Sequence, residues 1–245
     1  MGGLLELTAR AEATHFWFRG FRTFVAPVLR EIAAGRRDLR IIDCGCGTGY
    51  NLATLLQPYG RAFAFDLTPD ALRRARASGR PLVRADMEHI PFRSGSFDLA
   101  TSFDVVQSVP DDRKALHEMA RVLKPGGHVV LNVTALELLR GDHSDVWNEL
   151  RRYTPQAATQ LIEDAGLQVA RIMYLFASLV PLMLAVRRGQ RMLRRFREPR
   201  GDEDLAVPPG PINAALSALV SGEAALARHV SMPFGSSLLV VGRKP

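Results

Sequence analysis

The chain has 245 residues, 47% of them hydrophobic and 23% charged, which is enough for one large α/β domain with a full core and an appended element. Its net charge is +7, and the window Arg187–Arg200 holds seven arginines (187, 188, 191, 194, 195, 197, 200) against one acid, Glu198. The remainder is near neutral with one local basic stripe, which excludes a general polyanion-binding surface.

From the start of the chain, MGGLLELTAR lacks the basic-then-apolar pattern of a signal peptide. Glu12–Phe24 (EATHFWFRGFRTF) reads as a helix that places Phe16, Trp17, Phe18, Phe21 and Phe24 on something apolar. It is either docked on the core or laid over a ligand as a lid, with Arg19 and Arg22 alongside. Leu39–Gly45 has the composition of a buried parallel strand. A glycine-rich turn, a helix at Tyr50–Gln57, a strand at Arg61–Asp66 and a helix at Pro69–Ser78 follow. Strands are expected at Pro81–Asp86 and Phe97–Val106. A helix at Arg113–Lys124 is closed by Pro125-Gly126-Gly127, and a fifth strand runs from His128 to Ala135. Such a βαβα order implies a parallel sheet with helices on both faces.

Beyond it come a loop (Leu136–Arg152), a helix (Thr154–Ala165), a sixth strand (Leu167–Ala177) and a last strand (Ser236–Arg243). The segment between the last two strands carries the basic stripe, the break VPPGP and a second apolar helix at Ile212–Val230. The fold class is therefore α/β: a doubly wound, seven-stranded, mostly parallel Rossmann-like sheet with a helical insertion before the last strand. The expected division is an N-terminal helical lid (1–38), a cofactor-binding core (39–177), an insertion serving as acceptor cap or interface (178–235) and the final strand (236–245).

The strongest chemical signal is Ile41-Ile42-Asp43-Cys44-Gly45-Cys46-Gly47-Thr48-Gly49. A strand that ends in alternate glycines lets the backbone turn tightly and approach a ligand closely. A dinucleotide loop has the spacing G-x-G-x-x-G and leaves a helix N-terminus free for a pyrophosphate. Here the spacing is G-x-G-x-G, and Asp43 precedes it inside the strand. An acid there repels a pyrophosphate and suits a cofactor that presents positive charge. Asp66, at the end of the second strand, can accept both hydroxyls of a ribose. Asp86 and Met87, at the end of the third, offer an acid for an adenine amino group and a thioether for its face. Cys44 and Cys46 are too close for an ordinary disulfide and have no second ligand pair for zinc, so they read as small fillers in a reducing, cytoplasmic setting.

These motifs, with RADMEHIPFRSGSFDLATSFDVV and RVLKPGGHVVL, resemble the class I S-adenosylmethionine (SAM)-dependent methyltransferases, over about Leu39–Ala135. Within that class the chain is similar to the family that includes ubiquinone/menaquinone-type and many biosynthetic enzymes. The resemblance implies that Asp43, Gly45, Cys46, Gly47 and Gly49 hold the methionine moiety and that Asp66 holds the ribose. It further implies that Leu67, Asp86 and Met87 contact the adenine, and that Phe103 lines the pocket. Many members carry Glu-His where this chain has Gln107-Ser108, so no acceptor residue transfers from them.

Methyl transfer is an in-line displacement for which proximity supplies much of the acceleration. Where a base is required, the candidates are His143, Asp145 and Tyr153, after the fifth strand. The expected acceptor is a small, apolar or amphiphilic metabolite. Ser102-Phe103-Asp104-Val105 replaces the Asn/Asp-Pro-Pro-aromatic run of base amino-methylases, so no nucleic-acid partner is expected, and no acidic metal cluster appears in the sequence. The uncharged run Ile172–Val186 is shorter than the ~20 residues of a membrane span. Together with the arginines it makes 172–200 a candidate for contact with an anionic membrane, a lipid-like acceptor or a second subunit. A nicotinamide-dependent oxidoreductase is the remaining alternative, and the glycine spacing and Asp43 argue against it.

Overall fold

The computed structural model describes residues 2–193 and 203–245. Two helices, α1 (Gly2–Ala11) and α2 (Phe16–Ala33), precede the sheet. The aromatic segment expected to be helical from Glu12 starts at Phe16 instead. His15 takes extended backbone there, and its Nδ1 accepts the Trp17 amide at 3.1 Å, which caps α2. Phe21 and Phe24 are buried, and Trp17 stacks on Phe176 with centroids 3.9 Å apart.

The strands are β1 (Leu39–Cys44), β2 (Gly60–Asp66), β3 (Leu82–Arg84), β4 (Phe97–Phe103), β5 (Leu123–Thr134), β6 (Gln168–Leu175) and β7 (Ser237–Arg243). They form one seven-stranded sheet in the order β3-β2-β1-β4-β5-β7-β6. β7 runs antiparallel to both of its neighbours, and the remaining pairs are parallel. The connecting helices are α3 (Pro69–Ala75), α4 (Asp112–Val122), α5 (Asp142–Val146), α6 (Pro155–Asp164), α7 (Val180–Leu193) and α8 (Gly210–Leu226). Alternation along each strand divides the core between the two faces. Ile42 joins Phe97, Leu116, Met119 and Ile162 on the α4/α6 side. Its neighbour Ile41 joins Phe24, Leu29, Leu99 and Val220 on the α2/α8 side.

Three local expectations change. Pro125-Gly126-Gly127 does not end the strand but forms a bulge within β5, with Gly126 at φ +77° and the pairing to β4 jumping from Leu123 to His128. Gly126 N donates to Lys244 O at 2.9 Å and Lys244 N to Gly127 O at 2.8 Å, so the chain's last residues extend the ladder there. β4 ends at Phe103 rather than Val106, because Asp104 adopts φ +59° and leaves the strand path. The segment 136–152 is only partly loop, since it holds a 3₁₀ turn at Glu137–Leu139 and α5.

Much of the recognisable motif sequence has a structural job. Asp98 accepts from the Arg40 amide at 2.8 Å and from Lys124 Nζ at 2.9 Å, which links the SFD and LKPGG motifs. Arg121 donates to the Ile90 and Phe92 carbonyls at 2.8 Å and fixes the IPF turn. Among the described residues, no helix is long and apolar enough to cross a membrane. Of the basic stripe, Arg187 is buried, donating to Asp204 at 2.6 Å and to Gln190 at 2.8 Å. Arg191 donates to Leu138 O at 2.7 Å. Arg191 thus ties α7 to the 137–152 segment and Arg187 ties it to Asp204, while Arg194, Arg195, Phe196, Arg197 and Arg200 lie outside the described residues.

Candidate functional site

The carboxyl ends of β1, β2 and β4 lie side by side, and the loop Gly45–Gly49 bridges them. The Gly45 and Cys46 amides both donate to Phe65 O at 3.0 Å, which folds the loop back over β2. Gly45, Gly47 and Gly49 all have positive φ (81°, 53° and 80°). A Cβ on Gly45 would stand 2.7 Å from the Val105 side chain, and one on Gly49 would stand 2.8 Å from the Ala75 Cα. A Cβ on Gly47 would meet nothing within 4 Å. The loop is thus packed against protein at both ends and open at its middle, where a ligand has room.

Charge is arranged around that opening. Asp66 is oriented by the Gly47 amide (3.0 Å) and by the amide and hydroxyl of Thr68 (2.9 Å each). A carboxylate has capacity for further donors beyond these three. Asp43 is 3% exposed and accepts the Thr101 hydroxyl at 2.8 Å. Burial pushes its carboxyl up to about 7, Thr101 opposes the shift and the negative charge of Asp66 adds to it. A buried acid held this way gains most from an arriving positive group. Burial also raises the thiols of Cys44 and Cys46. Leu67, directly after Asp66, is 57% exposed and gives an apolar wall beside the carboxylate. The donor set therefore fits SAM, with its cationic amino group and sulfonium toward Asp43 and its ribose toward Asp66.

The other candidate residues divide. Asp86 is exposed at the rim, with Oδ1 accepting the Glu88 amide at 2.9 Å. Met87 is turned into the α4-side core, its sulfur 4.0 Å from the Ser102 hydroxyl, and so offers a ligand no thioether surface. Phe103 is half-buried, edge-on to Phe21 at 5.0 Å, which places α2 against the end of β4. His143 sits on α5 with Nδ1 3.8 Å from Asp204 Oδ2 and its ring 5.9 Å from Trp147. Burial holds its imidazole down at about 4, so it is neutral near pH 7. Tyr153 is 5% exposed in the α4/α6-side core and donates to Asp112 Oδ2 at 2.7 Å. Burial and that carboxylate raise its phenol. The structure does not bring Tyr153 to the glycine loop, because its hydroxyl is engaged where the start of α4 meets the core.

Sequence reasoning passed over Glu12, Thr101 and Asp104. Glu12 is buried and accepts the Thr48 hydroxyl at 2.6 Å, which joins the N-terminal segment to the loop. Burial raises its carboxyl against the opposing effect of Thr48. Its signal in the sequence is faint, an acid at the end of one helix and 36 residues from its partner.

Comparison with known proteins agrees with this geometry. Residues 42–131 match the family model described as a methyltransferase domain. The chain is 32% identical over 162 residues to a malonyl-[acyl-carrier protein] O-methyltransferase of Herminiimonas arsenicoxydans, covering 64% of this chain and 62% of that protein. It is 34% identical over 102 residues to the demethylmenaquinone methyltransferase of Lactococcus lactis, covering 38% and 40% respectively. The matches span between 30% and 62% of the length of such curated relatives. The fold is shared with a SAM-dependent methyltransferase structure from Mesorhizobium loti, with a TM-score of 0.56 at 20% identity over 89% of this chain and 96% of that one. Sheet order, strand-end loop and family match agree: residues 42–131 are similar to a methyltransferase domain, and the fold is the one seen in SAM-dependent methyltransferase structures.

Proposed function

We propose that this protein transfers the methyl group of SAM to a small-molecule acceptor. The observation that supports it best is the convergence at the ends of β1 and β2. An open glycine loop, a buried acid poised near neutrality and an oriented carboxylate beside an exposed leucine together suit one SAM molecule. Asp43, Gly45, Cys46, Gly47, Gly49, Asp66 and Leu67 would hold it, with Asp86 at the adenine end and Phe103 as a wall. Bound there, the cofactor supplies an electrophilic methyl on a sulfonium. The chain's contribution is to orient the two reactants and exclude water.

The acceptor chamber is assigned to the space bounded by the end of β4, the 137–152 segment and the α2 aromatics, with α7 and α8 of the insertion as its cap. Arg191 supports this by fastening α7 to the 137–152 segment, and Arg187 by fastening it to Asp204. An amphiphilic metabolite fits walls that combine Phe21 and Phe103 with buried polar groups. Calorimetric titration tests the reading: SAM should bind at one site, NAD should not, and Asp66→Ala should weaken SAM by ~1–3 kcal/mol.

A further inference from the structure

The loop that leaves β4 carries a carboxylate that the cofactor site does not use. Asp104 has φ +59°, a backbone conformation uncommon outside glycine and most accessible to Asn and Asp. It is held there from β5 in both directions. Its amide donates to Asn132 O at 2.9 Å, and Asn132 Nδ2 donates to its Oδ1 at 2.7 Å. Its neighbour Val105 touches Gly45 of the glycine loop, and Phe103 on the other side faces Phe21. Asp104 therefore lies at the junction of the cofactor loop and the proposed chamber, with its own surface open to solvent.

Polar atoms without partners gather around it. Asn132 (2% exposed) uses its amide on Asp104, and its Oδ1 and the Oε1 of Gln107 (4% exposed) are buried and unpartnered. Gln107 O receives the Leu150 amide at 2.9 Å, which seats the 137–152 segment on this corner. On that segment Trp147 Nε1 is also buried without a hydrogen-bond partner. Buried polar atoms are normally bonded, so a cluster of exceptions beside an open carboxylate marks a place where a ligand completes the bonding. Glu149, the other acid facing Asp104, is matched by Arg152, with Nε 2.6 Å from Oε1.

Resting on the methyltransferase reading, we propose that Asp104 is the acceptor-binding base of this protein, and that the acceptor reacts through an amine or hydroxyl rather than a carboxylate. The reacting N–H or O–H donates to the Asp104 carboxylate, which orients the lone pair of that atom toward the glycine loop. As the new bond from nitrogen or oxygen to the methyl carbon forms, the C–S pair remains on sulfur and the displaced proton goes to Asp104, then to water. The bond from Asn132 fixes the carboxylate while its surface stays open to solvent, so the group is placed to take a proton and pass it to water. An acceptor carboxylate would instead meet a fixed negative charge at the point of reaction.

The test uses Asp104→Asn, which keeps the size and the left-handed backbone while removing the charge. The probes are 2-phenylethylamine, 2-phenylethanol and 3-phenylpropanoate, titrated by ligand-observed NMR into protein saturated with S-adenosylhomocysteine. Wild type should bind the amine and the alcohol in the millimolar range. Asp104→Asn should weaken the amine about tenfold, the loss of one charge-assisted bond, and improve the carboxylate. Calorimetry should show S-adenosylhomocysteine bound equally by both proteins. Amine binding that is absent or indifferent to Asp104→Asn, or a carboxylate that binds wild type as well as the amine does, overturns the assignment of Asp104. Failure of wild type to bind S-adenosylhomocysteine overturns the methyltransferase reading itself.

Discussion

The Thr101 hydroxyl reaches from β4 to the Asp43 carboxyl on β1 at 2.8 Å, the single side-chain bond that fixes a buried acid beneath the glycine loop. Through it, strand pairing controls the charge of the cofactor site, because Thr101 and Asp43 are register partners in the sheet.

Asp43 makes both stability and binding depend on pH. Its folded-state value of about 7 lies above its ordinary 3.8. The stabilisation associated with its proton is therefore complete below the ordinary value and is lost as pH rises through about 7. Asp43→Asn keeps an acceptor for Thr101 and should stabilise the free protein at pH 8 with little effect at pH 4, as read by thermal melts. A bound cation favours the ionised form, so SAM affinity should rise from about pH 5 to about pH 8 with proton release on binding. That dependence should be flat in the variant.

Gly47 and Gly49 should fail differently. Gly49→Ala forces a Cβ onto the Ala75 backbone at positive φ and should cost about 2–4 kcal/mol of folding stability. Gly47→Ala meets open space, so it should cost only ~1–2 kcal/mol through its backbone, yet remove cofactor affinity by filling the opening. Chemical denaturation paired with calorimetry separates the two.

The Glu12–Thr48 bond couples the N-terminal segment to the loop. Thr48→Val should free residues 2–15 to exchange amide hydrogens faster, at a stability cost of about 1 kcal/mol. In wild type, S-adenosylhomocysteine should slow exchange in the same residues. Equal exchange with and without it would separate this segment from the site.

Tyr153→Phe should lower stability by about 1 kcal/mol by removing the bond to Asp112. Arg151 remains 3.2 Å from that carboxylate, so the variant should fold and bind S-adenosylhomocysteine as wild type does. A loss of affinity would return Tyr153 to the site.

What the sequence disclosed follows from how local each feature is. The glycine loop, Asp43 and Asp66 were legible because strand ending, turn and acid lie within short stretches whose chemistry is self-contained. Met87 and Tyr153 were not, since a thioether turns to core or cleft according to Ser102, and a phenol according to Asp112, 41 residues away. Asp104 carries no mark in the sequence at all. Its standing depends on β4 ending one residue before it and on Asn132 of β5 holding it at positive φ. The proline-glycine-glycine run misleads for the same reason, because the backbone that pairs with this bulge and keeps it within the strand is that of Lys244, more than a hundred residues away.

The most direct measurement is calorimetric titration of SAM and NAD into wild type and Asp66→Ala at pH 8. The expected result is one SAM site in wild type, an affinity lower by ~1–3 kcal/mol in Asp66→Ala, and no heat from NAD in either protein. SAM binding that ignores Asp66→Ala, or a site that prefers NAD, would contradict the assignment of the strand-end site to SAM.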